Sequence, residues 1–459
     1  MTDPPIHGSS AVRHLFGTDG VRGIANTELP PTLAMALGAA AAHVFREHAS
    51  ARCTVVLGRD PRLSGDLLEA ALTAGLLSQG VDVLSVGVVP TPGVACITRK
   101  RNAVAGIVVS ASHNPMADNG IKFFGPDGKK LPDATEAEIE RAITDWQERP
   151  RPAGAEVGRL TRTDAPVDDY LAELTASMGE TDLRGLRLVV DCANGAAFSL
   201  APRLLRELGA EVFPLASEPN GININENCGS LHPEAMAETV RATHSDAGLA
   251  FDGDADRVIL ADEQGRLVDG DRILCAVGIR RKTIGNLPND TVVGTVMSNL
   301  GLEKALERHG IRLVRAAVGD RYVAEQLAKH GASVGGEKSG HILFTDLSPT
   351  GDGLLTALQM LRLCRESGRT LAQWHDEMHE FPQKLVSIPV RTREGWEVVP
   401  AIAGAIRSAE RQIEGRGRIN VRPSGTERKI RVMVEGPDAD EVAHLTDLVA
   451  DAIRSTLGV

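Results

Sequence analysis

Long runs of positive charge are missing from this sequence. No run of Lys or Arg exceeds three residues, and 50 basic against 61 acidic residues leave a formal net charge of −11. A nucleic-acid or anionic-membrane surface therefore has no electrostatic footprint, and any bound anion must be held by a local site. Long apolar runs are missing too: the longest, Leu33 to Phe45, carries Gly38 and His43 and is too short for a membrane span. The opening MTDPPIHGSS has neither a basic start nor an apolar core, so the expected setting is the cytoplasm. Six cysteines lie far apart without a C-x-x-C pair, which excludes a disulfide framework and a zinc knuckle and leaves them as small core residues. G-x-x-x-x-G-K-[ST] is absent and GTDGVRG is not G-x-G-x-x-G, so P-loop and dinucleotide readings fall away. HDEMH, His375 to His379, has zinc-helix histidine spacing but lacks Glu after the first His, and reads as a helix surface.

What is present describes a large globular chain. The 459 residues, 42% apolar and 24% charged, are too many for one hydrophobic core. Three stretches share one grammar of β-branched run, polar turn, amphipathic helix, Gly cap and second apolar run. They are TVVLGRD with helix Gly65 to Leu77 and Gly80, LRLVVDCANG with helix Ser199 to Leu208 and Gly209, and TVVGTVMSN with helix Leu302 to His309 and Gly310. A glycine cap followed by a returning run marks a crossover, so each unit is expected to form parallel strands of a doubly wound sheet. The end differs: KLVSIPVR, a helix from Trp396 to Gln412, GRINVRPSG, KIRVMVEG and a helix from Ala439 to Leu457 spell β-α-β-β-α, a smaller two-layer α+β domain. Three similar doubly wound α/β domains plus this one, with expected bounds 1–153, 154–262, 263–380 and 381–459, are placed around one cleft.

GIVVSASHNPMADNGIKFFGPDGKKL sets a strand, Val104 to Val109, before Ser112, His113 and Asn114, and Pro115 stops it. Ser112 is thus expected on a loop at the carboxyl end of a strand, where open α/β sheets bind ligands. A serine there either accepts a phosphoryl group beside a polarising imidazole or only bonds the turn backbone. AGLAFDGDADRVILAD ends a strand with Asp252, Asp254 and Asp256 at alternate positions. Three such carboxylates repel unless a cation neutralises them, and an all-oxygen set favours Mg²⁺ or Ca²⁺ over zinc. They also match positions 1, 3 and 5 of an EF-hand loop with Glu263 at 12, but Arg257 stands where that loop needs Gly and the flanks read as strands. RINVRPSGTERKIR offers Arg422, Ser424, Gly425, Thr426 and then Arg431, either a phosphate cradle or an ordinary hairpin turn. In GGEKSGH, Gly335 to His341, the acid, hydroxyl and imidazole either read sugar hydroxyls or form a plain loop.

Taken in order, FGTDGVRG, SASHNP with NGIKFF, FDGDADR, VGDRYV, GGEKSGH and RPSGTE resemble the α-D-phosphohexomutase superfamily from Phe16 onward. The resemblance implies an enzyme that moves a phosphoryl group between two positions of a hexose phosphate. It implies Ser112 as the phosphorylated carrier and one Mg²⁺ per chain on Ser112, Asp252, Asp254 and Asp256. Lys122 and His341 would transfer protons beside His113, Arg22 and Arg257 would line the cleft, and Glu337 and Ser339 would bind sugar hydroxyls. Arg422, Ser424, Gly425, Thr426 and Arg431 would hold the distal phosphate, and glucose or glucosamine 1,6-bisphosphate would prime the serine. FGTDGVRG, NGIKFF and VGDRYV point to the amino-sugar members, which make glucosamine 1-phosphate from glucosamine 6-phosphate toward UDP-N-acetylglucosamine and cell-wall precursors. Phosphomannomutase or phosphoglucomutase chemistry, and a non-catalytic sugar-phosphate sensor, are the alternatives. Two departures from the pattern, Lys338 for a neutral residue such as Gln and Arg428 for Pro, are expected to bear on sugar preference and on the stiffness of the phosphate loop. The expected partners are a hexosamine phosphate and a second copy in a homodimer, with no nucleic acid and no membrane.

Overall fold

In each repeated unit the two β-branched runs pair in parallel: Thr54–Arg59 with Asp82–Val88, Arg187–Asp191 with Glu211–Leu215, and Thr291–Thr295 with Arg312–Ala316. The computed structural model that shows this describes residues 15–17, 19–48, 52–424 and 428–459. The intervening helices are Ser64–Ser78, Leu200–Glu207 and Leu300–Arg308, within two residues of the expected bounds. Gly80, Gly209 and Gly310 follow them with positive φ, the conformation that turns the chain back.

Each sheet then gains a third parallel strand that doubles back as a hairpin. Ala105–Val109 turns into Asp118–Phe124, Ala247–Phe251 into Val258–Ala261, and Val334–Gly336 into Ile342–Phe344. The repeat is therefore longer than its pattern discloses, running strand, helix, strand, helix, strand, hairpin. Val21–Ile24 and Leu160–Arg162 extend the first sheet to six strands, Leu267–Val268 extends the second to five, and the third has four. The strands at 160 and 267, just past the expected seams, thus pair with the sheet before each seam.

Strand periodicity divides the core. Val55 and Leu57 face one cluster with Leu37 and Leu72, while Val56 faces a second. Leu188 and Val292 join that second cluster, whereas Val189 and Val293 face outer cores of their own. Side chains that alternate across a sheet buried on both faces explain why these strands read as unbroken apolar runs. One continuous core thereby welds the three units. Five of the six cysteines are buried and Cys364 is half-buried, as small core residues.

The C-terminal unit is antiparallel, with Lys429–Glu435 between Gln383–Pro389 and Arg418–Pro423, two helices over it and a separate core. Its first helix starts at Pro400, later than expected, because proline suits the first helical turn and disfavours helix in the residue before it. Trp396–Val398 forms only a short 3₁₀ turn. A second correction concerns HDEMH: the helix Leu371–His375 ends at its first histidine, so His375 and His379 share no helix face. Among the described residues no helix is long and apolar enough to cross a membrane.

Candidate active site

The turns of the three equivalent hairpins meet at one place. The first, 110–117, carries Ser112; the second, 252–257, carries the aspartates; the third, 337–341, carries Glu337 and His341. Parallel strands put their carboxyl ends on one edge, so three copies of one topology present three loops to one cleft. That cleft measures about 490 Å³, and Asp19, Arg22, His113, Arg257, Glu337 and His341 are among its lining.

Ser112 has φ +52° and is 1% exposed. A left-handed serine costs on the order of 1–3 kcal/mol and persists only where its surroundings hold it. Here its carbonyl accepts from Arg62 Nη2 and Asn225 Nδ2, each at 2.9 Å, and its amide donates to Ser110 Oγ at 3.0 Å. Its Oγ donates to Asp252 Oδ2 at 2.6 Å and lies 3.2 Å from His113 Nδ1. The two loops approach so closely that a Cβ at Gly253 would fall 2.5 Å from the Ser112 carbonyl oxygen. Burial, with repulsion from Arg257 and Arg22, pushes the His113 imidazole down to about 4. It is neutral near pH 7, with one ring nitrogen to accept and one to donate.

Asp252, Asp254 and Asp256 are all buried, with carboxylate oxygens within 4.8 Å of one another, the one such cluster among the described residues. Burial and the other two carboxylates drive Asp252 well above the usual carboxylate range. Asp254 Oδ1 and Asp256 Oδ1 are buried without a hydrogen-bond partner. Hard oxygen donors, unsatisfied lone pairs and mutual repulsion are what a divalent ion such as Mg²⁺ relieves, so these residues fit one. The strands on both sides of the loop confirm that no EF-hand helix flanks it.

Lys122, on the return strand of the first hairpin, donates from Nζ to Asp254 Oδ2 at 2.8 Å and lies 3.1 Å from Asp19 Oδ2 and 3.8 Å from Asp256 Oδ2. Burial opposes its charge, but Asp19, Asp254 and Asp256 outweigh that and raise its pKa. His341 stands between Asp256 (Nδ1 to Oδ1, 3.5 Å) and Asp320 (Nε2 to Oδ2, 3.7 Å). Those carboxylates overcome its burial and lift it to about 9. Glu337 Oε1 accepts from the Gly319 amide at 2.9 Å, while Ser339 is exposed and outside the cleft lining. Lys338 is likewise outside the cleft lining, with Nζ 2.7 Å from Glu380 Oε1 and 3.7 Å from Asp269 Oδ2.

The C-terminal residues form a second group. Arg422 and Arg431 are directly opposed across their antiparallel strands. Burial and the charge of Arg431 lower the Arg422 pKa. Like charges directly opposed on one sheet face repel, and an anion between them relieves it. Ser424 is buried and its carbonyl accepts from Arg393 Nη1 at 2.7 Å. Gly425 and Thr426 lie outside the described residues. Arg422, Ser424 and Arg431 are not among the cleft's lining. The structure thus brings together Ser112, His113, the three aspartates, Lys122, Arg22, Arg257, Glu337 and His341, while Arg422, Ser424 and Arg431 stand outside this cluster.

Sequence reasoning missed Arg62, Asp60 and Asn225, which fix the Ser112 loop, and Thr91, whose Oγ1 donates to Asp254 Oδ2 at 2.6 Å. GRDPR carried a signal, since an acid and a base at the carboxyl end of an apolar strand already stand at the ligand edge.

Family models described as phosphoglucomutase/phosphomannomutase match throughout: alpha/beta/alpha domain I at residues 13–150, domain II at 168–265, domain III at 269–381 and the C-terminal domain at 385–452. A phosphoglucosamine mutase of Desulforamulus reducens is 53% identical over 440 residues, 96% of this chain and 99% of that protein. That of Symbiobacterium thermophilum is 51% identical with the same coverage. Among solved structures, a phosphoglucomutase/phosphomannomutase family protein from Burkholderia thailandensis superposes with TM-score 0.80 at 25% identity, covering 96% of this chain and 99% of that one. The Aspergillus fumigatus N-acetylphosphoglucosamine mutase solved with GlcNAc-6P and magnesium shares the fold, with TM-score 0.66, 19% identity and 96% coverage of both chains.

Proposed function

The chain belongs to the phosphoglucomutase/phosphomannomutase family, and we propose that within it the protein interconverts glucosamine 6-phosphate and glucosamine 1-phosphate through a phosphorylated Ser112 and a bisphosphorylated sugar. The observation that carries this is Ser112 Oγ bonded to Asp252 Oδ2 at 2.6 Å, where a buried serine and three buried carboxylates meet at a cleft. The near full-length identity to phosphoglucosamine mutases supports the amino sugar as substrate.

In the first half-reaction a sugar hydroxyl attacks the phosphorus on Ser112. The bond from phosphorus to Oγ breaks, a bond to the sugar oxygen forms, and the hydroxyl's proton ends on Oγ, so the bisphosphate and a free serine result. Mg²⁺, held by Asp252, Asp254, Asp256 and the seryl phosphate, would supply charge neutralisation at the transferred group. His113 Nδ1 orients Oγ from 3.2 Å. Lys122 Nζ, 2.8 Å from Asp254, and His341 Nδ1, 3.5 Å from Asp256, are the groups that move protons beside the transferred phosphoryl. The intermediate then turns over, and its other phosphate returns to Ser112 by the reverse of the same step. Arg422 and Arg431, with Ser424, hold whichever phosphate is distal. Glucosamine or glucose 1,6-bisphosphate primes a serine that has lost its phosphate.

Parallel initial rates on glucosamine, glucose and mannose phosphates test the reading. The amino sugar is expected to give the highest kcat/KM, and a preference for glucose or mannose phosphate would overturn the assignment.

A further inference from the structure

The mutase reading demands that a bisphosphosugar stay inside the protein while it turns over, which makes the back of the cleft as important as its mouth. Lys130 lines this cleft. Its Nζ donates to Asp19 Oδ1 at 2.7 Å in the first unit and to Asp320 Oδ1 at 3.0 Å in the third. It is one link of a closed ring of alternating charge: Asp19 to Lys122 at 3.1 Å, Lys122 to Asp256 at 3.8 Å, Asp256 to His341 at 3.5 Å, and His341 to Asp320 at 3.7 Å. Lys130 and Asp320 also line two cavities at once. One is the cleft, and the other, of about 500 Å³, lies between the first and third units against Leu131, Pro132, Leu343 and Pro349. The ion pair therefore belongs to the walls of both the cleft and this second cavity.

Two further contacts hold this seam. Arg321 pairs with Asp133 on its outer side. Gly128, at φ +76°, carries the preceding loop so close to the third unit that a Cβ there would meet Pro349 Cγ at 2.9 Å.

We propose that Lys130 is a positioning residue that bolts the first unit to the third and seals the rear of the cleft, so that the bisphosphorylated sugar completes its turn without escaping. A lysine suits the task because its ammonium reaches two carboxylates at once and neutralises both. This assignment rests on the mutase reading above.

The test uses the full-length protein carrying a labelled phosphoryl group on Ser112, mixed with unlabelled glucosamine 6-phosphate, and counts labelled bisphosphosugar free in solution per turnover. Lys130→Met is expected to raise that leak about tenfold and to make turnover depend on added glucosamine 1,6-bisphosphate, while the single transfer from Ser112 stays within about threefold of wild type. Lys130→Arg, which still spans both carboxylates, is expected to restore most of the seal. A wild-type leak in a mutase-active Lys130→Met protein overturns this assignment alone. Label that never reaches the sugar in quenched wild-type reactions overturns the mutase reading as well.

Discussion

Arg62 Nη2 lies 2.9 Å from the carbonyl oxygen of Ser112, and the same guanidinium pairs through Nε with Asp60 Oδ2 at 2.9 Å; neither charged side chain is exposed. One buried ion pair thus holds the serine in its left-handed conformation. Arg62 also reaches the carbonyls of Asn114 and Pro115, so its planar fork grips three successive parts of one loop.

Removing that fork leaves Asp60 buried without its partner. Arg62→Leu is expected to lower unfolding free energy by roughly 3–5 kcal/mol and to abolish turnover with it. Arg62→Lys is expected to regain part of the stability but little of the activity, since a point charge cannot replace a fork. Denaturant titration beside kcat measures both, and near wild-type kcat in the lysine variant would contradict the role.

The metal prediction follows from the aspartates. EDTA should abolish turnover and Mg²⁺ restore it, and Asp254→Asn should lose most activity because one anionic donor is gone. Isothermal titration of Mg²⁺ into wild type and variant gives a readout apart from activity. Equal affinity in both, or full activity in excess chelator, would refute the site.

Arg422→Ala should raise KM for the 1-phosphate and 6-phosphate sugars alike, since one clamp serves both orientations. A charge-assisted contact of about 2 kcal/mol corresponds to roughly a 30-fold change. Phosphorylation of Ser112 should be little altered. An unchanged KM would return this loop to an ordinary hairpin, and would mean that the C-terminal unit does not close over the cleft.

A pH effect away from the chemistry concerns Asp352, which caps the helix Gly353–Ser367 and accepts from Tyr170 Oη at 2.9 Å. Burial pushes its carboxyl up to about 7 despite those bonds. The folded state then binds the proton more tightly than the unfolded state, so this contribution to stability is present below the usual carboxylate range and is lost as pH rises through about 7. Asp352→Asn keeps the cap acceptor and cannot ionise. Its Tm relative to wild type should therefore climb between pH 5 and pH 8, and parallel Tm curves would show that Asp352 does not titrate there.

How much of this was legible depended on how local each interaction is. The Ser112 loop and the aspartate triplet could be read because each is a few consecutive residues after an apolar strand. The parallel pairing could be read because a crossover leaves its glycine cap in sequence. The third hairpin could not, since Val334–Gly336 and Ile342–Phe344 have only three residues each and show no periodicity. Nor could the bonds that shape the site, because Arg62 reaches Ser112 across 50 positions and Lys130 reaches Asp19 and Asp320 across 111 and 190. Lys338 was expected to bear on sugar preference, and its ammonium pairs with Glu380 and Asp269, partners only the tertiary fold reveals.

The central claim is that Ser112 carries the phosphoryl group that reaches the sugar. A single-turnover experiment addresses it: wild type labelled on Ser112, verified by intact mass as one added phosphoryl group, is mixed with glucosamine 6-phosphate and quenched over time. The account predicts that label leaves the protein and appears on the sugar at a rate no slower than kcat. It also predicts that Ser112→Ala takes up no label and turns over at least about a thousandfold more slowly while remaining folded. Label that stays on the protein through many turnovers, or an alanine variant with near wild-type kcat, would contradict it.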